Sequence, residues 1–377
     1  FLKVRASYSE VGNPPMRQIT MPAYTVKDGI VNTSSRLLNP DLKPERTKSV
    51  EVGMNLRMFQ NLLNIDFTYY NSNTYNQFIN YTMPPSTGYS DYMLNGGKVN
   101  NWGIEARLGI NTNLGPVKWN SSLTFTMNRN KVVYLLPGGA TNPITGEPIS
   151  ITEIEPFNPQ GSYKMIVKEG GTLSDIYVTG LKMDYLGNIK VDANTSAIEA
   201  DPNTWIKAGS AAPRFNWGWN NSFSWKGINL GFLIDARIGG VGVSATQAKM
   251  DYYGTSKASA IVRDNGGVNI NSGRVSAKDY YNVLGNGSTG VLANYVYSMT
   301  NVRLREATLG YTFPTKWFGN QIQNLTVSLI GKNLFMFHNK APFDPELSAS
   351  TGTYYQGFDY FMQPSVRSIG FSVKFQY

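Results

Sequence analysis

The chain closes on SIGFSVKFQY, residues 368–377, and how that stretch is read decides the fold. Ile369, Phe371, Val373, Phe375 and Tyr377 alternate without a break against Ser368, Gly370, Ser372, Lys374 and Gln376, so a strand through them has one apolar and one polar face. In a water-soluble domain the apolar face would enter a core, yet chain ends usually lie at frayed, exposed edges. In a membrane-spanning β-barrel the same face meets lipid, the polar face lines the lumen, and a closing aromatic sits in the interfacial girdle.

Composition favours the second reading. Of 377 residues, 13% are aromatic, 23 are Tyr, 37 are Gly and only 16% are charged, a balance rich in strand and turn formers and poor in exposed-helix formers. With no Cys there is no disulfide framework, thiolate metal site or cysteine nucleophile. No apolar run approaches the roughly 18 residues of a spanning helix, whereas a barrel hides its spans in alternation. The net charge of +9 raises nucleic-acid binding, but Lys and Arg are scattered among alternating strands rather than gathered into a patch, which argues for no nucleic acid.

The pattern of the last strand recurs upstream. Val50, Val52, Met54, Leu56 and Met58 oppose Glu51, Gly53, Asn55 and Arg57; Trp102, Ile104, Ala106, Leu108 and Ile110 oppose Gly103, Glu105, Arg107 and Gly109. Phe215, Trp217, Trp219, Phe223 and Trp225 alternate with Asn and Ser, and Ile228, Leu230, Phe232 and Ile234 continue the series. Strands are expected at about 1–11, 49–59, 63–79, 98–112, 117–134, 172–184, 188–193, 214–226, 228–240, 301–313, 324–337 and 368–377.

Alternation alone would also suit a sandwich. The connections separate the two. Short turns at 60–62, 113–116, 185–187, 227 and 314–323 take turns with long, Gly-, Pro-, Asn-, Ser- and Tyr-rich segments at 12–48, 80–97, 135–171, 194–213, 241–300 and 338–367. All long connections then emerge on one side, as in outer-membrane barrels. Two places strain the pattern. In NVRLREATLGYTFP the apolar parity slips, which calls for a bulge near Arg305. The hairpin at 172–193 is the weakest pair.

Six stretches carry a resemblance: NPDLKPERTKSVEVG (39–53), GKVNNWGIEARL (97–108), FNWGWNNSFSWKGINLGF (215–232), NVRLREATLGYTFP (301–314), LIGKNLFMF (329–337) and the terminal decapeptide. Together and in this order they resemble the C-terminal part of SusC-type (SusC/RagA-like) TonB-dependent outer-membrane transporters, over essentially the whole chain. The resemblance implies an all-β fold: a transmembrane antiparallel β-barrel in which residues 1–377 supply about twelve strands, the second half of a barrel of roughly 22. It further implies import of a large nutrient, mostly oligosaccharide and in some members peptide, in the cell outer membrane of a Gram-negative, Bacteroidetes-type bacterium. The implied partners are a SusD-like surface lipoprotein lid, membrane lipid, the remainder of the barrel with its plug as a separate chain or segment, and the TonB complex, which supplies energy through an N-terminal box. The alternative is a self-contained twelve-stranded barrel acting as an enzyme or adhesin. The pairing of Val4 to Tyr8 with the last strand discriminates the two.

Catalytic chemistry has little support. His338 is the only histidine and no Cys is present to accompany it, so neither a triad nor a zinc site is indicated. The sequence marks no pair of carboxylates as catalytic. No cofactor is expected; Asp192, Glu199 and Asp201 offer oxygen ligands for a loop calcium but lack the spacing of a calcium loop. Substrate-binding candidates are the aromatics of the long connections, Tyr252, Tyr253, Tyr280, Tyr281, Tyr354, Tyr355, Phe358 and Tyr360, whose rings stack and whose hydroxyls hydrogen-bond. The competing role for them is packing the loops. Lumen-lining candidates are Arg57, Glu105, Arg107, Asp235 and Arg237.

Overall fold

The alternating segments assemble into one long antiparallel sheet. The computed structural model describes every residue except 16–23, 34, 137, 193, 196, 272, 287–289, 320–321, 347–355 and 377. In chain order the principal strands are β1 (Leu2–Asn13), β2 (Glu45–Met58), β3 (Leu63–Thr82), β4 (Asp91–Leu114), β5 (Val117–Tyr134), β6 (Glu153–Gln160), β7 (Tyr163–Lys168), β8 (Asp175–Leu181), β9 (Ala200–Ser210), β10 (Phe215–Trp225), β11 (Ile228–Ile238), β12 (Asn301–Thr312), β13 (Gln323–Asn339) and β14 (Ser368–Gln376). Ten of them form the wall in the order β1-β2-β3-β4-β5-β10-β11-β12-β13-β14, and Arg36–Leu37 adds an eleventh, parallel strand against Asp91 and Tyr92.

Register keeps the apolar set on one face. Val4 faces Met54, Met54 faces Phe67, Phe67 faces Ala106, and Ala106 faces Phe125, so a row of apolar side chains crosses five strands. The row continues with Leu123 opposite Trp219 and Leu309 opposite Leu329, which in turn faces Phe371. These side chains stay exposed: Val4 67%, Leu329 56% and Phe371 80%. Such a band, backed by a polar face, suits hydrocarbon rather than water.

Short and long connections alternate as the sequence implies. Lys226 (φ 46°) and Gly227 (φ 90°) make a two-residue hairpin, which needs left-handed backbone at both positions to match the strand twist. The parity slip is a bulge at Arg305: Leu233 pairs with Glu306 while Ile234 pairs with Leu304, leaving Arg305 as the extra residue.

Two expectations are corrected, and the contact that separates the two barrel readings falls as the half-barrel reading requires. Residues 172–184 and 188–193 are not wall strands; β8 lies inside a separate four-stranded sheet ordered β9-β8-β7-β6, so the wall has ten principal strands rather than twelve. The segment 80–97 is not a long loop, because β3 and β4 stay paired from Leu63 opposite Ile110 up to Thr82 opposite Asp91. The discriminating contact is absent: β1 and β14 are the two edges of the sheet and do not pair among the described residues. Tyr377, the expected girdle aromatic, lies outside the described residues.

At the rim of the long connections the chain builds a second body. Connection 135–214 supplies β6–β9, and connection 239–300 supplies three helices, α1 (Ala245–Tyr252), α2 (Lys257–Asp264) and α3 (Ala277–Leu284). Each helix starts on a serine, Ser244, Ser256 or Ser276, whose hydroxyl accepts a backbone N–H three residues on. Val241–Ser244 pairs antiparallel with Val296–Ser298 and parallel with Phe358–Asp359, stitching 239–300 to the last connection. One apolar core joins all three connections: Tyr163, Met165, Ile176 and Val178 from the first, Val243, Leu284 and Val291 from the second, and Phe358 from the third. Each large side chain so buried contributes about 1.5–3 kcal/mol, enough collectively to hold long connections in a fixed shape.

Candidate functional site

The polar face of the wall and the loop body above it carry the candidate site residues. On the wall, Arg5 donates to Asn55 Oδ1 at 2.6 Å and to Asp66 Oδ1 at 3.1 Å, and also reaches the Thr68 hydroxyl. Gly53, opposite Arg5 in register, makes this possible, since a Cβ there would come within 2.7 Å of Arg5 Nε. Beyond this network Arg57 and Arg107 line a cavity of about 410 Å³ with Asn55, Asp66, Asn120 and Ser122. Glu105 sits on the same face between Thr68 and Thr126 in register, outside the lining of that cavity.

Nearer the loop rim the polar face is strongly charged. The bulge turns Arg305 toward Asp235, whose Oδ2 accepts from Nε at 3.0 Å and from Nη2 at 2.5 Å, and toward Glu346. Arg303 pairs with Asp344 at 3.0 Å and with Glu346 at 3.3 Å. Asp344 also accepts from the hydroxyl and the backbone N–H of Ser365. Asp344 and Glu346 of the last connection are thereby held against the wall strands, and Ser365 against Asp344. Arg5, Arg303, Arg305, Asp344 and Glu346 escape pattern reading; only the parity slip at Arg305 hinted at them.

The aromatic candidates divide by burial. Tyr281 (9% exposed) and Phe358 (7% exposed) are packed inside the loop body, Phe358 with its ring 4.6 Å from that of Tyr163, so they serve packing rather than a surface. Tyr253 (71%) and Tyr360 (50%) face solvent. Tyr252 is half-buried and meets Tyr253 edge-on at 5.0 Å, and half-buried Tyr280 meets Tyr281 at 5.2 Å. Tyr354 and Tyr355 lie outside the described residues. At the centre of the body, buried Asp251 accepts from Gln247 Nε2 at 2.8 Å and from the Ser256 hydroxyl. Burial, followed by the charge of Asp251, raises the hydroxyls of Tyr280, Tyr281 and Tyr297, the last to about 12.

The calcium candidates do not converge. Asp192 accepts N–H groups from Asn194 and Thr195, Asp201 those of Asn203 and Thr204, and Glu199 pairs with Lys182 at 2.9 Å, so each carboxylate serves its own turn or strand. Among the described residues no three His, Cys, Asp or Glu side chains are placed to share a metal. His338 is exposed near the end of β13, opposite Val302.

A family model described as "TonB dependent receptor-like, beta-barrel" matches residues 1–196. The chain belongs to the TonB-dependent receptor β-barrel family. It is 25% identical to TonB-dependent receptor P3 and 26% identical to TonB-dependent receptor P26, both of Formosa agariphila, over 99% of its length. Those alignments cover 39% and 40% of the two relatives, so the chain spans about two fifths of their length. Its fold is shared with the RagAB peptide importer in the open-open state, at a TM-score of 0.69 and 18% identity, over 99% of this chain and 40% of that one. The closed-closed state gives a TM-score of 0.66 at the same identity, over the same shares of the two chains.

As a TonB-dependent receptor barrel segment, the sheet has an assigned orientation. TonB-dependent receptors are outer-membrane proteins, and in such barrels the apolar face meets lipid, short turns face the periplasm and long connections face outward. Arg57, Glu105, Arg107, Asp235 and Arg237 share the polar face of the sheet, opposite the exposed apolar row.

Proposed function

We propose that residues 1–377 are the C-terminal part of a SusC-type barrel that imports a large polar nutrient across the outer membrane of a Gram-negative, Bacteroidetes-type bacterium. Oligosaccharide is the first cargo class and peptide the second, the latter favoured by the fold shared with a peptide importer. The observation that carries the reading is the single core through which three long connections become one body over a polar-faced, apolar-backed wall. A transport mouth needs such a shaped, charged and aromatic surface that does not collapse between solutes.

In this reading the wall gives passage and no bond of the solute is broken. Backbone groups at the edges β1 and β14 would each cost several kcal/mol if left unpaired in hydrocarbon, so both edges join strands of the rest of the barrel. That remainder carries the plug, which the TonB complex displaces, and a SusD-like lipoprotein covers the mouth. The likeness to the RagAB transporter supports that partner.

The test is to purify the full-length transporter with its native partners from outer membranes and to identify what accompanies it by mass spectrometry. A surface lipoprotein in matching amount, with an oligosaccharide or peptide, is expected. A lone polypeptide with neither would favour the enzyme or adhesin alternative.

A further inference from the structure

On the apolar face of the wall, β4, β5 and β10 form a groove of about 650 Å³, lined by Leu108, Leu123, Phe125, Trp119, Trp217 and Trp219. Register explains the hollow. Leu108, Leu123 and Trp219 make one row across the three strands, and Trp119 faces Phe223 in a row nearer the short turns. Between these rows β5 carries Ser121, whose side chain is too short to fill the space.

The walls of the groove are held in place. Trp119 Nε1 donates to Asn221 Oδ1 at 3.2 Å, and its ring stacks on that of Phe223 with centroids 6.2 Å apart. Trp219 Nε1 donates to the Ser121 hydroxyl at 3.0 Å, and its ring meets Phe232 edge-on at 5.6 Å. A tryptophan at a membrane interface ordinarily turns its N–H toward the polar headgroups. Here both N–H groups bond to the wall itself, which leaves the ring bodies to line an apolar hollow. One end of the hollow approaches a cation. Ser224 pairs with Lys118 and Leu114 with Val117, so the Lys226–Gly227 hairpin stands beside the Gly115–Pro116 turn. Exposed Lys226 holds its ammonium over the Trp225 ring, 5.3 Å from the centroid.

We propose that this groove holds one acyl chain of a phospholipid of the periplasmic leaflet, with Lys226 meeting the lipid's phosphate. The proposal goes beyond the import reading and needs only the orientation common to outer-membrane barrels, with short turns toward the periplasm. From Trp119 to Phe125 the groove runs about 20 Å along the strand, or about 15 Å along the membrane normal at the roughly 40° tilt of barrel strands. One leaflet supplies about that depth of hydrocarbon. The cationic end lies on the short-turn side, which selects the periplasmic leaflet, and a lysine at the membrane surface attracts lipid phosphate. β4, β5 and β10 are the fourth to sixth of the ten wall strands, so closure of the barrel at β1 and β14 leaves their outward face open. A flat apolar face is wetted by exchanging lipid, whereas a groove with fixed walls retains one chain.

The experiment titrates the full-length transporter complex in mild detergent with phosphatidylglycerol brominated on its acyl chains and reads the quenching of tryptophan fluorescence. Quenching is expected to saturate at one lipid per transporter. Quenching that only rises in proportion to the lipid's mole fraction marks unselective exchange and overturns the proposal, whether or not any variant folds. Ser121→Phe fills the hollow and displaces about two methylenes of the chain, so it should weaken binding about tenfold. Lys226→Asn, which suits the left-handed turn, should weaken it about fivefold. Leu329→Phe, on the same face outside the groove, should change nothing. Saturable quenching that Ser121→Phe leaves unchanged, or that Leu329→Phe weakens equally, overturns the proposal as well. Light scattering on the same samples reads the number of copies. A complex that loses a copy of this chain in Ser121→Phe with no change in quenching assigns the groove to a second copy and overturns the lipid site.

Discussion

Arg303 Nη2 lies 3.0 Å from Asp344 Oδ1, with only 3% and 8% of the two side chains exposed, and the pair clamps the last long connection to the inner wall. Removing Asp344 leaves the buried Arg303 with Glu346 as its remaining carboxylate. Asp344→Ala should loosen the described residues 340–346 and 356–367 by about 2 kcal/mol, read as faster protease cleavage there in the intact transporter. The double variant Arg303→Met, Asp344→Leu should be cleaved more slowly than Asp344→Ala alone. Equal cleavage of Asp344→Ala and wild type would show that the clamp holds nothing.

The same clamp should release in acid. Burial tends to raise the Asp344 carboxyl, but the Ser365 hydroxyl, the Glu346 backbone N–H and the Arg303 charge hold it below its ordinary value of 3.8. A carboxyl depressed in the folded state contributes stability that is present above its unfolded value and lost as pH falls through the folded one. Protection of the described residues 340–346 and 356–367 should therefore persist down to about pH 4 and fall below it, and Asp344→Asn should flatten that dependence. A protection profile identical in Asp344→Asn and wild type would remove Asp344 as the cause.

Lipid exposure of the last strand gives a third expectation. Phe375 is 60% exposed on the apolar face, so Phe375→Asp places a charge against hydrocarbon. Outer-membrane abundance should fall several-fold, whereas Ser372→Asp, on the polar face, should change it little. Equal abundance of wild type and Phe375→Asp would place that face away from lipid.

Burial separates two tyrosines that sequence treats alike. Tyr281 is 9% exposed and Tyr253 71%. Tyr281→Ala should cost the loop body about 3 kcal/mol and lower its unfolding temperature; Tyr253→Ala should leave stability unchanged and, if solutes stack there, weaken their binding. A Tyr281→Ala protein as stable as wild type would show that the core does not depend on that ring.

What could be read in advance follows from period. Half-lipid, half-lumen strands alternate at every second residue, so the wall, its apolar face and even the bulge at Arg305 were visible in the letters. The hairpin at 172–193 misled because β8 is covered on both faces, with Asp175, Ile176, Val178, Thr179, Gly180 and Leu181 all buried, and a doubly buried strand loses the contrast between faces. The 80–97 segment reads as loop through Asn95, Gly96 and Gly97, yet Asn95 bonds the Asn76 and Lys43 carbonyls and the ladder resumes past them. The helix that starts at Ser276 went unread among the turn formers of 241–300, although Asp279 N–H donates to Ser276 Oγ at 3.1 Å. The arrangement of Arg305, Asp235 and Glu346 was not legible, because it depends on a loop returning about 110 residues later to the same wall, and nothing local encodes that return.

Energised uptake is the most direct test of the central claim. Cells carrying the intact gene, cells lacking it, and intact cells with the proton-motive force collapsed would be offered the labelled solute recovered from the purified complex. The account predicts accumulation only in the first, and restoration by the wild-type gene. Equal accumulation in all three would contradict it.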